Sequence, residues 1–504
     1  MNNKALITVS SANCRISRRS LLSIGHFEIG IGQHWCLFGG NGAGKSLLAQ
    51  LIAGHRIESK QYVSYAAGFE PKEDIFIVSF EQQQLLWQRD NRLDISEYSA
   101  SASDRGTLVS ELITSARPLQ SQDRDQLSRL VASLALHSVY DKGIRFLSSG
   151  QIRKALIARA LYGASGIRPS LIILDDPLES IDRNSQQHIS KTLQDWMVAG
   201  NSSLLLCRRK QDILPSISHL ALMDKLTIVE QGTIGDIKRS QTYAQISTIA
   251  PPQLPNLPQT QDRQEQSSES GLISPIELID VNASYGDQLV LSKVNWLMES
   301  HHHTLIQGPN GCGKSTLLSL IDGENHKAYG QQLKLFGKLK GSGESIWQHK
   351  SHFGVVSNEL HNKYIKGWRV LDVIVSGFFD SVGLYDDSTG AQIDAALQWL
   401  KLLDIQLQRK AYYHEISFGQ QRLVLLARAM VKQPRLLILD EPCVGLDDYH
   451  RSLILQVLDA IASQTTTQLI YVSHVEEEMP NCINQRLSFS SYPQGGHKII
   501  VENL

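Results

Sequence analysis

One glycine-rich string occurs twice in the chain. Gly39-Gly-Asn41-Gly42-Ala-Gly44-Lys45-Ser46 and Gly308-Pro-Asn310-Gly311-Cys-Gly313-Lys314-Ser315-Thr316 both fit the phosphate-loop pattern G-x-x-x-x-G-K-[ST]. Thr304-Leu-Ile-Gln leads into the second copy, and Leu317-Leu-Ser-Leu-Ile leads out at helical spacing. That order predicts strand, glycine turn and helix start. Glycines let the backbone wrap an anion so that successive N–H groups point at it. The helix N-terminus adds partial positive charge. The lysine reaches β- and γ-phosphates, and the following hydroxyl suits Mg²⁺.

The repeat extends further. Lys45 and Lys314 lie 269 positions apart, as do Ser148 of Leu147-Ser-Ser-Gly150-Gln151 and Ser417 of Ile416-Ser-Phe-Gly419-Gln420. Leu171-Ile-Ile-Leu-Asp175-Asp176-Pro and Leu436-Leu-Ile-Leu-Asp440-Glu441-Pro form a third pair. Their offset of 265 reflects a longer turn before the first of these strands. Registered repeats imply internal duplication. Between them, 236–275 holds five prolines among Gln, Ser and Asp and reads as an extended tether. The expected division is 1–235, a 236–275 linker and 276–504. Alternating strand and helix signals predict an α/β domain with a mainly parallel sheet in each half, with helices over 121–136 and 392–405.

Composition excludes several classes. A net charge of −1 gives no strong nucleic-acid footprint. The six cysteines form no C-x-x-C pair, so free thiols in a reducing compartment are expected. The N-terminal residues lack a signal-peptide core, and the apolar runs are short buried strands, so a cytoplasmic protein is expected.

A phosphate loop, then L-S-[SG]-G-Q, then four aliphatics with D-[DE]-P, resembles the ATP-binding cassette (ABC) ATPases. The resemblance implies two P-loop NTPase domains of the ABC type, each with a helical subdomain. More narrowly, Leu335-Phe-Gly337, Gly341–Trp347, Val375–Tyr385 and Ser417-Phe-Gly-Gln-Gln-Arg422 are similar to the ModF-type tandem ATP-binding proteins of molybdate transport, also called photorepair proteins. In this family the signature Ser and Gly face nucleotide held by the opposite cassette. One chain could therefore close two head-to-tail sites as a monomer. The first pairs Lys45, Ser46 and Asp175 with Ser417 and Gly419. The second pairs Lys314, Ser315 and Asp440 with Ser148 and Gly150. Gln151 and Gln420 belong to the same signatures.

The resemblance implies unequal sites. Asp440 holds Mg²⁺ through water, and Glu441 polarises the attacking water. Tyr285 resembles the adenine-stacking aromatic, and His474 the switch histidine. In the first half the base position holds Asp176, whose carboxylate retreats by roughly 1.5 Å. Spacing puts Arg209 at the switch position, and the stacking position near Ile16 has no aromatic. Gln82 is the expected water-positioning glutamine, and in the second half Asn358 or a neighbour would have to substitute with a shorter arm. The first site is expected to bind ATP without comparable turnover. Two smaller leads stand apart. Cys312 lies inside a phosphate loop at a helix start, a place that lowers thiol pKa values, and is read as a candidate reactive thiol or as a small residue standing in for Ala or Ser. His301–His303, read as alternating across a strand, make a poor metal cluster.

Two jobs fit such an ATPase. One is energising transport through membrane-spanning subunits on the inner face of the plasma membrane, for molybdate or another solute such as a sugar. For this, 371–385 would receive the partner or serve as core. The other is soluble work as a regulator or as a translation or repair factor. The proline-rich connector, unlike a charged helical arm, counts against the ribosome. With 30 residues after His474, the C-terminal regulatory domain of some oxyanion-importer ATPases is not expected here.

Overall fold

The computed structural model describes residues 4–16, 21–92, 106–118, 120, 123–165, 168–179, 181–198, 201–248, 251, 254–258, 274–285, 288–309, 311–323, 325–343, 348, 350–364, 367–473, 475, 478–492 and 495–504. The chain forms two compact units, Met1–Ile249 and Ala250–Leu504.

The first unit is built on a nine-stranded sheet. Ile75–Val78, Leu171–Asp175, Ser202–Cys207, His34–Phe38 and His219–Asp224 run parallel in that spatial order. Thr227–Thr233 then turns antiparallel to His219–Asp224. The hairpin Ala5–Arg15/Leu21–Gly30 and the short strand Val63–Tyr65 complete the other side. The second unit repeats this order and adds one edge strand, Lys338–Leu339.

The aliphatic runs explain the layering. Strand side chains alternate between faces, and parallel strands are covered on both. Ile172 and Leu174 pack with the helical region on one face, while Leu171 and Ile173 pack with the hairpin layer on the other. Leu437 and Leu439 against Leu436 and Ile438 do the same in the second unit. Each such buried side chain contributes about 1.5–3 kcal/mol. The predicted helices are found as Arg124–Ser133 and Gly390–Leu402. The apolar side of 371–385 serves the core: Val373, Ile374 and Val375 are buried, Leu371, Phe378 and Phe379 pack against the same cluster, and Tyr385 is exposed.

The connector differs from the expected 236–275. Its first residues are helical, Ile234–Lys238 and Gln241–Ser247, and Ile237, Tyr243 and Ile246 pack onto the first core. Thr233 and Ser240 cap these helices through their side-chain oxygens. Further on, Leu254 and Leu257 pack onto the second core, and Leu257 N–H donates to Gln464 Oε1 at 2.9 Å. Proline content hid two amphipathic turns and an apolar anchor.

Candidate functional site

Each phosphate loop joins a central parallel strand to a helix, Lys45–Ile52 or Lys314–Asp322. Gly44 and Gly313 precede these helices at φ 103° and 104°, a region that favours glycine. Gly42 and Gly311 also have positive φ. A side chain at Gly39 would meet the Met223 carbonyl oxygen at 2.2 Å, and one at Gly308 would meet Cys312 Sγ at 2.7 Å. Both lysines fold back over their loops. Lys45 Nζ donates to the Gly39 and Gly40 carbonyls at 2.7 and 2.9 Å, and Lys314 Nζ to those of Gly308 and Pro309 at 2.9 and 3.1 Å. Burial lowers the Lys314 pKa, against the pull of Cys312, Glu441 and Asp440. Asn41 and Thr316 are partly exposed, and Ser46 and Ser315 are exposed. Asn310 lies outside the described residues.

The strand-end acids come to the loops. Ser46 Oγ donates to Asp175 Oδ2 at 2.9 Å. Burial, then Asp176, raises the Asp175 pKa to about 6, which Arg208, Ser46 and Lys45 oppose. A hydroxyl and a carboxylate held together, with charge still to be neutralised, suit a hard cation. The next residue is special in both halves: Asp176 has φ 43° and Glu441 φ 49°. Each donates its N–H to the neighbouring strand, Asp176 to the Leu206 carbonyl and Glu441 to that of Val472, both at 3.1 Å. Left-handed backbone at non-glycine residues costs about 1–3 kcal/mol and clusters at functional sites.

These pairings correct the switch position. Asp175 lies beside Leu206, and Asp440 beside Val472. The connection between these strands is therefore one residue shorter in the first half. Position 474 corresponds to Arg208, not Arg209. Arg209 instead pairs with Asp212 at 2.7 Å. Arg208 Nε meets Asp176 Oδ2 at 2.6 Å, and Arg208 Nη2 meets Glu179 Oε2 at 2.6 Å. Burial would lower the Arg208 pKa, but Asp176, Glu179 and Asp175 together hold it above its usual value.

The glutamine assignment also shifts. Val78 pairs beside Leu174, and Val356 beside Leu439, so Asn358 corresponds to Phe80. Gln82 lies two residues later, in the helix Phe80–Arg92, and its Oε1 is buried without a hydrogen-bond partner among the described residues. Gln83 is the glutamine engaged, accepting from Arg153 Nε at 3.0 Å. Arg153 also donates to the Asp175 and Asp176 carbonyls, both at 3.3 Å. In the second unit Arg422 donates to Asn358 Oδ1 and to the Ser357 carbonyl. This buried arginine, two residues after the signature glutamine in both halves, escaped the sequence reading. Its repetition in Gly-Gln-x-Arg was the available signal.

The signatures form helix caps. Ser148 Oγ accepts from Gln151 N–H at 3.3 Å, and Gln151 Oε1 accepts from Ser148 N–H at 3.0 Å. Ser417 and Gln420 repeat this at 3.3 and 3.1 Å. This is a capping box, so both glutamine side chains have structural duties. Gly150 and Gly419 are buried, and a side chain at Gly419 would meet the His450 ring at 2.4 Å. Tyr285 ends its strand, but its side chain lies outside the described residues, as does all of His474. Ile16 is 37% exposed.

Both smaller leads change. Cys312 is 1% exposed, and burial raises its pKa against the opposing pull of Lys314. That is the wrong direction for a reactive thiol. His301 and His302 sit in a turn, not a strand, and with Glu299 bring three ligand-type atoms within 4.8 Å. Here hydrogen bonding argues against a metal. Trp296 Nε1 can only donate, and it donates to Gln485 Oε1 at 2.9 Å. Gln485 Nε2 therefore donates to His302 Nδ1 at 3.0 Å, which leaves the proton on Nε2. A ligating histidine needs one nitrogen free and the other donating.

The chain matches the family described as "ABC transporter" over 22–179 and again over 291–444. It belongs to the ABC ATPase family. Family members bind ATP through the loops described above. The chain is 34% identical to the ABC transporter ATP-binding protein ModF of Escherichia coli, covering 96% of each chain. An uncharacterized ABC transporter ATP-binding protein of Schizosaccharomyces pombe is 28% identical, covering 91% of this chain and 93% of its own. Among solved structures, an archaeal ribosome recycling factor in complex with a ribosomal stalk protein shares the fold, with TM-score 0.58 and 15% identity over 98% of this chain and 90% of its own. The ABC resemblance thus holds in tandem and along almost the full length. No helix among the described residues is long and apolar enough to cross a membrane.

Proposed function

We propose that this chain hydrolyses ATP mainly at its second phosphate loop and uses closure of the two cassettes to drive a partner. The observation that carries this is the difference between the strand-end acids: Glu441 in the second unit, and an Asp176 already bound to Arg208 in the first. In this reading Lys314, Ser315 and Asp440 bind nucleotide together with Ser148 and Gly150. Glu441 takes a proton from water as the water oxygen bonds to the γ-phosphorus. The bond from phosphorus to the bridging oxygen breaks, and ADP leaves. A general base contributes about 10²–10⁴-fold. The first loop, with Ser417 and Gly419, holds ATP. Mg²⁺ would sit with Ser46 and Asp175, and with Ser315 and Asp440, and would neutralise phosphate charge.

The partner proposed is a membrane-spanning transport subunit on the inner face of the plasma membrane, in a system handling molybdate or a similar oxyanion. The similarity along the whole chain to ModF supports this, as does that relative's description as a transporter ATP-binding protein. The decisive experiment is turnover of purified Glu441→Gln and Asp176→Asn. Near-complete loss in the first and little in the second is expected; equal losses would refute unequal sites. Affinity purification from detergent-solubilised membranes should recover a multi-span subunit. Repeated recovery of ribosomes instead would favour a soluble translation role.

A further inference from the structure

We infer that Arg208 is the positioning residue that keeps the first site silent, by holding Asp176 away from the attacking water. The inference rests on the reading above that the second site carries turnover. Its ground is the grip itself. The guanidinium takes Asp176 Oδ2 through Nε and Glu179 Oε2 through Nη2, each at 2.6 Å. A carboxylate acts as a base through a lone pair directed at water, and a charge-assisted bond this short takes a lone pair of Oδ2, draws charge from the whole carboxylate and fixes its direction. The same strand end is fixed from behind, where Arg153 Nη1 holds both the Asp175 and Asp176 carbonyls at 3.3 Å. Asp176 is therefore held both through its side chain and through its backbone carbonyl.

The duplicated half carries different residues at these positions. Three positions change together. Asp176 corresponds to Glu441, Glu179 to Val444 and Arg208 to position 474, a histidine. The second half thus has no arginine at the position of Arg208 and no acid at that of Glu179. A guanidinium stays charged at every working pH, so the clamp is not released by loss of a proton from the cation. Arg208 also occupies the sequence position that corresponds to the switch histidine expected in the other copy. Losing Glu to Asp explains a weakened base, whereas the clamp explains an absent one.

The test uses the full chain with second-site chemistry removed by Glu441→Gln. Arg208→His is added, giving the first half the residue that the second carries. Turnover should rise at least fivefold over Glu441→Gln alone, and Lys45→Ala should abolish the rise, which places it at the first loop. A gain cannot come from structural damage, which only lowers activity. Arg208→Lys keeps the buried charge but not the two-pronged grip. It guards against loss of fold and should give a smaller rise. Unchanged turnover in whichever of these variants melts as a folded protein overturns the role of Arg208. If Glu441→Gln alone leaves turnover near wild type, the unequal-sites reading fails instead.

Discussion

Asp176 and Glu441 hold the same left-handed backbone at the same strand end, 265 positions apart, yet only one carries the longer acid. Duplication kept the strained geometry while the chemistry on it diverged.

That strain makes a stability prediction. Glycine adopts φ near 49° without a Cβ penalty, which is about 1–2 kcal/mol for other residues. Glu441→Gly should abolish turnover while the melting temperature stays level or rises. A matched pair of ATPase assays and thermal melts checks this. A marked fall in melting temperature would show that the side chain anchors the strand end.

The signature serine should have a measurable structural share. Ser417→Ala removes the acceptor for Gln420 N–H and should cost about 0.5–2 kcal/mol in urea unfolding of the second unit. Ser417→Thr should recover most of that stability. Turnover lost in the alanine variant beyond what unfolding explains would measure the part of Ser417 that serves nucleotide.

Close approach at Gly419 predicts coupling. A methyl there meets the His450 ring at 2.4 Å, and His450 is held by Asp447 Oδ1 at 2.7 Å. Gly419→Ala should destabilise by about 1–3 kcal/mol through overpacking. Adding His450→Ala should return part of the loss, and a double-mutant cycle reads the interaction. Strict additivity would place the strain elsewhere.

His361 predicts a pH dependence. Burial first, then Arg422, pushes its pKa from 6.5 down to about 3, and its Nδ1 lies 3.1 Å from Tyr413 Oη. Below pH 6.5 the unfolded chain takes a proton that the folded one refuses until about pH 3. Stability attributable to this group therefore falls as pH drops through that window, by up to ~1.4 kcal/mol per unit. Above pH 6.5 the contribution is complete. His361→Gln should flatten the slope between pH 7 and 5 relative to wild type; parallel slopes would assign the acid sensitivity to other groups.

Much of the fold was legible because duplication checks itself. Lys45 with Lys314 and Ser148 with Ser417 keep one offset, and a chance match would not. The acids were legible because a buried parallel strand must be apolar until it emerges, so the first carboxylate marks its end. Arg208 was missed for a physical reason. Counting residues assumes equal connections, but only the hydrogen bonds from Asp176 to Leu206 and from Glu441 to Val472 reveal the shorter one. Asn358 was set against Gln82 for the same reason, whereas strand register places it level with Phe80. The turn at His301 and His302 was invisible because the run abuts a strand without belonging to it.

The anchoring of Leu257 has a practical consequence. Dividing the chain at Ile276, where the second strand system begins, would strip Leu254 and Leu257 from the core beneath them and leave Gln464 Oε1 without its donor. A second half started before Pro251 keeps that cover. Expressed separately, the longer piece should stay monodisperse where the shorter one precipitates. The stretch around Leu254 and Leu257 is thus a seal that belongs to the half that follows it.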